Sequence, residues 1–161
     1  MTRNKSFTPD PTFWLGYASF LMSTLNPPSP IRARTLLQRA TQSVPATQHR
    51  HLTQKFAALE FKSPNGDPER GRTIFEGLVS TWPRKGDVWD VYLALEMGCG
   101  NEENVRGLFE RMVKVGKKKR VAGVFGKWAD WEGERGNGKG VERVRALEGK
   151  WREERESKED E

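Results

Sequence analysis

Six cations fall within ten residues, Arg111, Lys114, Lys117, Lys118, Lys119 and Arg120, and Lys127 follows. A cluster of this density attracts phosphate and makes binding salt-dependent. An acidic protein surface, nuclear import or simple solvation would use the same residue types. Three glutamates, Glu60, Glu96 and Glu132, recur every 36 residues. A catalytic carboxylate is not repeated once per structural unit, so these read as partners of arginines on the helices that follow, such as Arg72 or Arg106. A buried pair of that kind fixes helix orientation more than it adds stability. His49 and His51 are the only histidines, and two ligands do not make a zinc site. Cys99 is the single cysteine. It excludes an intramolecular disulfide, fits a reducing compartment and reads as a small residue in a turn. The glycine pairs lack the spacing and the Gly-Lys-Ser/Thr ending of a phosphate-binding loop, and no Ser-His-Asp or Cys-His arrangement stands out. The residues therefore point away from an enzyme, and to no cofactor, metal or small-molecule substrate.

Helices must position these side chains. Residues 1–11 are polar with two prolines and are expected to be unstructured; Met1 is compatible with a start codon added to an internal fragment. From Thr12, the residues Trp14, Tyr17, Phe20 and Leu21 fall on one helical face, and the helix should stop near Asn26, before Pro27, Pro28 and Pro30. A second helix runs from about Ile31 to Ser43, with Leu36, Leu37 and Ala40 apolar. A third follows Pro45 to about Phe61, carrying Leu52, Phe56, Leu59 and Glu60. Ser63-Pro64-Asn65-Gly66 breaks it. Asp67 then caps a fourth helix with Pro68 at its first position, and Ile74, Phe75 and Leu78 line it as far as Trp82-Pro83.

The fifth and sixth helices form a hairpin. Asp87 is the expected cap of a helix bearing Trp89, Tyr92 and Glu96, which Gly98-Cys99-Gly100 should end. Asn101 caps the next, where Glu102 and Glu103 suit the helix dipole and Val105, Leu108, Phe109 and Met112 form an apolar stripe. The basic segment, residues 114–120, leads into a helix holding Val121, Phe125, Trp128, Trp131 and Glu132, which Gly133, Gly136 and Gly138 end. The last helix starts near Lys139, carries Val141, Val144 and Leu147, reaches Trp151, and frays into a charged tail over 153–161.

Two motifs recur in fixed order along these helices. In first helices, Trp14-x-x-Tyr17-x-x-Phe20, Trp89-x-x-Tyr92-x-x-Leu95-Glu96 and Phe125-x-x-Trp128-x-x-Trp131-Glu132 superimpose, and Phe56-x-x-Leu59-Glu60 fits the same frame. The anchors Tyr17, Phe56, Tyr92 and Trp128 are spaced 39, 36 and 36 residues apart. In second helices, Arg34-x-Leu36-Leu37, Arg72-x-Ile74-Phe75 and Arg106-x-Leu108-Phe109 superimpose at spacings of 38 and 34. The fourth copy keeps only Val141 and Val144, as expected at the end of an array, where an outer face meets water. A stripe that recurs with the structural period is core rather than a platform for stacking RNA bases. Trp14, Tyr17, Phe56, Phe75, Trp89, Tyr92, Phe109, Phe125 and Trp128 are therefore assigned to the repeat framework, with burial expected, alongside Glu60, Glu96 and Glu132. The repeats lie at about 12–43, 46–82, 87–115 and 119–151, within a domain spanning 12–152.

A helix pair of about 36 residues with an aromatic-x-x-aromatic-x-x-x-Glu first helix resembles half-a-tetratricopeptide (HAT) repeats, which are typical of RNA-processing assemblies. Longer strings carry the likeness further: Gly66-Asp67-Pro68-Glu69-Arg70-Gly71-Arg72-Thr73-Ile74-Phe75-Glu76, Thr81-Trp82-Pro83-Arg84-Lys85 and Val105-Arg106-Gly107-Leu108-Phe109-Glu110-Arg111 are similar to the C-terminal repeat region of the ribosomal RNA processing protein 5 family. The resemblance runs from Phe13 to about Trp151. The chain departs from it at Ser63-Pro64-Asn65, at Pro27–Pro30 and in the glycine-rich fourth repeat, which are mostly loops. The resemblance implies a nuclear and nucleolar protein whose partners are ribosome assembly proteins of the small-subunit branch and, as a second class, precursor ribosomal RNA. It also implies that OB-fold RNA-binding repeats precede this region in the family, so that this chain is a C-terminal fragment.

Composition suits an extended, surface-rich fold: 35% of residues are apolar and 31% charged, yet six Trp and eight Phe oppose disorder. The net charge is +6, and the last ten residues are acidic, so the body is more basic than the total suggests. No apolar run approaches the ~20 residues of a membrane span, and the N-terminus lacks a signal-peptide core. The expected fold is all-α, a right-handed α-α superhelix of about four HAT/TPR-like helix pairs. The expected function is a non-catalytic scaffold in pre-rRNA processing and small-subunit assembly, with Arg111, Lys114, Lys117–Arg120 and Lys127 as the RNA- or partner-binding residues. The alternative is a HAT interaction module of an mRNA-processing or splicing factor.

Overall fold

The computed structural model describes residues 10–25 and 27–160. The described residues form no β-strand and fold into eight α-helices: α1 Pro11–Ser19, α2 Pro30–Ser43, α3 Ala46–Lys62, α4 Pro68–Thr81, α5 Gly86–Cys99, α6 Glu102–Val115, α7 Lys118–Glu134 and α8 Gly138–Glu159. They divide between two compact units, Met1–Leu95 and Glu96–Glu161, with the boundary inside α5.

Local chemistry sets most helix ends. The Asp10 carboxylate accepts from the Thr12 N–H at 2.6 Å, and Pro11 opens α1, so order begins before residue 12; the rest of the segment expected to be unstructured, 1–9, lies outside the described residues. After Ser19 the helix widens into a π-helical turn, Phe20–Thr24. Its expected end at Asn26 also lies outside the described residues. Asp67 caps α4 through the Glu69 N–H at 3.0 Å, with Pro68 following. Gly100 takes φ +75°, a left-handed conformation that glycine adopts without strain, and its N–H reaches back to Glu96 and Met97 carbonyls. Asn101 then accepts from the Asn104 N–H at 3.1 Å.

Two ends differ from the sequence expectation. Helix α5 starts at Gly86, so Asp87 stands in its first turn, and its carboxylate takes both hydrogen bonds of Arg50 Nη1, at 3.0 and 3.1 Å. Helix α8 does not fray at Trp151 but continues to Glu159. Arg152 pairs with Glu148 one turn back at 2.7 Å, the Arg155 guanidinium lies 4.8 Å from the Trp151 ring centre, and Lys118 pairs with Glu159. Charged residues that look like a solvated tail thus support the helix through i,i+4 contacts.

In the first unit, Trp14, Ala18, Leu21 and Met22 of α1 and its π turn pack with Ala33, Leu36 and Ala40 of α2 and with Leu52 and Phe56 of α3. Phe75 of α4 stacks on Tyr92 of α5 at 5.0 Å, and the Tyr92 hydroxyl donates to Glu76 at 2.9 Å. Trp89 donates its indole N–H to the Pro83 carbonyl at 2.9 Å. In the second unit, Phe109 of α6 stacks on Trp128 of α7 at 5.5 Å, and Phe125 lies nearly parallel to Trp128 at 6.5 Å. Each ring stack joins the second helix of one pair to the first helix of the next.

Tyr17 departs from this frame. It is 37% exposed and Phe20 is 42% exposed, although Tyr17 aligns with the buried Phe56, Tyr92 and Trp128, and Phe20 with the buried Leu95 and Trp131. The reason is the missing half of the stack. Phe75 supplies the ring that covers Tyr92, and Phe109 the ring that covers Trp128, whereas among the described residues no helix precedes α1.

Candidate functional site

The recurring glutamates are buried: Glu60 is 4%, Glu96 0% and Glu132 2% exposed. For Glu60 and Glu132 the arginine comes from the helix before, not the helix after. Arg34 of α2 donates to Glu60 of α3 through Nε at 2.8 Å and a terminal nitrogen at 3.0 Å. Arg106 of α6 donates to Glu132 of α7 at 2.7 and 3.1 Å. The helix that follows supplies something else, a group at its start. The Asp67 N–H donates to Glu60 at 2.8 Å, Asn104 to Glu96 at 3.4 Å and Asn137 to Glu132 at 2.7 Å. A carboxylate has lone pairs for both kinds of donor, so Glu60 and Glu132 each tie the preceding helix to the cap of the following one.

Around Glu132 the pairing extends. Arg106 also donates to Glu102 at 3.2 Å, and Arg135 donates to Glu102 at 3.0 Å. Both guanidiniums lie over the Trp131 ring, 5.3 and 4.4 Å from its centre. Hydrogen bonding to Arg106 holds the Glu132 carboxyl below its ordinary range against the opposing effect of burial, with help from Asn137. The hydrogen bond to Glu132 raises Arg106 above the ordinary arginine value, and the one to Glu60 does the same for Arg34. A Glu132 carboxylate held ionised in this way suits a structural role.

The basic run is not one loop. Arg111 and Lys114 lie in the last turn and a half of α6, Gly116 and Lys117 link, and Lys118, Lys119 and Arg120 open α7. The link is tight: a Cβ at Gly116 would stand 2.8 Å from a Val121 methyl and 3.0 Å from the Met112 carbonyl oxygen. Lys114 sits at a helix C-terminus, where a cation is favoured, but the three cations at the start of α7 oppose the helix dipole, and no acidic residue shares that turn. Lys114, Lys117, Lys118 and Lys119 are exposed; Arg111 and Arg120 are half-buried. Lys118 is turned toward the end of α8, where it meets Glu159. Lys127 is exposed, about 180° around α7 from Lys118 and two turns beyond Arg120 on the same side. The structure therefore gathers Lys114–Arg120 around one helix junction and leaves Lys127 apart from Lys118.

His49 contacts the Val44 carbonyl at 3.0 Å, and Cys99 is exposed. Among the described residues no three His, Cys, Asp or Glu side chains group as a metal site, and no helix is long and apolar enough to cross a membrane. Sequence reasoning passed over the cations of α8: Arg143 and Lys150 within the expected helix, and Arg155 and Lys158 because the last turns looked like a tail.

No family model matches the chain. Individual proteins do. The chain is 43% identical over 147 residues to the rRNA biogenesis protein rrp5 of Schizosaccharomyces pombe, covering 89% of this chain and 8% of that protein. It is 35% identical over 143 residues to the Protein RRP5 homolog of Mus musculus, covering 88% of this chain and 7% of that protein. A shorter match, 34% over 77 residues and 47% of this chain, links it to a pre-mRNA-splicing factor syf1 homolog of Drosophila melanogaster. The chain thus spans less than a tenth of the length of the curated relatives it matches.

Proposed function

The chain is related to the RRP5 rRNA biogenesis proteins over most of its length, and on that premise we propose that it is a non-catalytic helical-repeat scaffold of ribosome biogenesis. It acts in the nucleus and nucleolus, holding assembly proteins of the small-subunit branch, with precursor ribosomal RNA as its second class of partner. The observation that carries this reading is the extent of the similarity: one alignment of 147 residues at 43% identity runs through both units. The structure adds a physical reason for a scaffold. Two of its buried carboxylates, Glu60 and Glu132, are occupied in joining helices through the half-buried Arg34 and Arg106. The residues left for partners are surface cations around the α6–α7 junction and the faces of the helix pairs.

Capture of the tagged chain from cells, with crosslinking to protein and RNA, tests the proposal. Recovery of small-subunit assembly proteins together with precursor rRNA is expected. Recovery of spliceosomal or polyadenylation proteins instead would favour the splicing reading, to which the partial match over 47% of the chain lends its support. In a second measurement, replacing Lys117, Lys118, Lys119 and Arg120 with Gln weakens pre-rRNA binding and flattens its salt dependence. Equal affinity of the variant and wild type at low and high salt would remove RNA from this junction.

A further inference from the structure

We propose that the groove between α6 and α8 docks an acidic, amphipathic segment of a partner protein. The proposal rests on the reading of the chain as a scaffold and names the chemistry of one of its partners.

The groove is extended by the length of α8. Helices α2, α4 and α6 have 14 residues each, whereas α8 has 22. The additional two turns, about 12 Å, extend a wall that the other second helices do not have. Between that wall and α6, over Phe125 and Trp128 of α7, lies an open cavity of about 560 Å³. The crevice between α2 and α4, over the repeat-equivalent Phe56, holds only about 40 Å³. Ion pairs stand near both ends of the α8 wall: Arg143 with Glu110 at 3.4 Å, and Lys118 with Glu159.

Apolar side chains form its floor and part of its walls, and its rim is mainly basic. Val113 faces it from α6, and Leu147, 37% exposed, faces it from α8. Trp151 stands beside Leu147, held between Phe125 at 5.7 Å and the Arg155 guanidinium at 4.8 Å. Lys114, Lys150, Arg155 and Lys158 border the opening; Glu154 is the carboxylate among them, since Glu110 is engaged by Arg143. The stretch from Arg143 to Lys158 measures about 22 Å along the helix, the length of four turns of a docked helix. An occupant must therefore present apolar anchors to Leu147 and Val113 and carboxylates to the lysines, as a helix-in-groove ligand does.

Nucleic acid fits less well. A base needs a free aromatic face, but the Trp128 ring is stacked between Phe109 and Phe125 and is 2% exposed. The open surfaces at Val113 and Leu147 are aliphatic, and Glu154 repels phosphate.

The test uses the whole chain and a fluorescent peptide of about 15 residues, with Leu, Trp and Leu at i, i+4 and i+7 of an otherwise acidic, helix-forming sequence. Saturable micromolar binding is expected in an anisotropy titration. Leu147→Asp and Lys150→Glu, both at exposed positions, should each weaken it at least about tenfold, while Lys55→Gln on α3 leaves it within about twofold. A peptide of the same composition with its apolar residues spread around the helix should bind at least about tenfold more weakly. The proposal is overturned if no saturable binding is seen, if the scrambled peptide binds equally, or if Leu147→Asp binds like wild type. It is also overturned if a uridine oligonucleotide binds the chain in a Leu147-dependent way and displaces the peptide, or if sedimentation shows a Leu147-dependent dimer that excludes the peptide. Capture of ribosome assembly particles runs in parallel. Capture that persists when peptide binding fails brings down the groove alone; peptide binding without capture brings down the ribosomal reading and leaves the groove.

Discussion

Arg106 and Glu132 stand 26 residues apart and meet through two hydrogen bonds, at 2.7 and 3.1 Å; Arg34 and Glu60, also 26 apart, repeat that geometry at 2.8 and 3.0 Å. The two pairs lie in different units, so the fork is a property of the repeat. It joins the second helix of one pair to the first helix of the next with the planar geometry that arginine and carboxylate share. A glutamate used in this way sets how consecutive pairs are oriented, and its recurrence follows from that.

Breaking the fork on one side should be costly. Arg106→Ala leaves the Glu132 carboxylate buried without its main partner and is expected to lower stability by about 3 kcal/mol. The double replacement Arg106→Met with Glu132→Leu should lie within about 1 kcal/mol of wild type, because an apolar pair removes both charges. Urea unfolding of the two variants checks this; a double variant as unstable as Arg106→Ala would mean that the pair itself carries the stability.

Acid should release the same contact. The Glu132 carboxyl is held below its ordinary value of 4.5 by Arg106. Its folded-state contribution is therefore complete above about pH 4.5 and is lost as pH falls through the lower native value. The stability difference between wild type and Glu132→Gln should shrink as pH falls below about 4.5, as followed by thermal melting at successively lower pH. A difference independent of pH would contradict the assignment.

The aromatic positions should separate by exposure. Trp128→Ala, at a residue 2% exposed and stacked on Phe109, is expected to cost about 3–5 kcal/mol. Tyr17→Ala, at a residue 37% exposed, should cost about 1 kcal/mol or less. Melting temperatures of the two variants decide the point, and equal losses would show that Tyr17 has a cover in solution.

Charge at the start of α7 should trade stability against binding. Lys119 is exposed in the first turn, where a carboxylate is favoured over a cation. Lys119→Glu should raise stability by about 0.3–1 kcal/mol while weakening binding to a polyanion. Chemical unfolding and RNA titration of one variant read both effects; a gain in binding would exclude the junction as an anion contact.

The sequence by itself determined the helices, their order and the repeat. Asp67-Pro68, Gly100 and Asn101 act on the backbone within a turn, and the periodicity of Trp89, Tyr92 and Glu96 or of Val105, Leu108, Phe109 and Met112 marks a buried face without knowledge of what covers it. Tertiary structure decided the rest. Glu132 meets Arg106 of the preceding helix because packing, not spacing, chooses among several arginines. Tyr17 is exposed because the ring that would stack on it has to come from another helix. The last two turns of α8 also meet Lys118, more than forty residues earlier in the chain, at Glu159, and those turns lengthen the groove. Caps and periodicity are local and can be read along the chain; the partners of a buried charge, an aromatic face or a helix end are set by elements that meet only when the chain has folded.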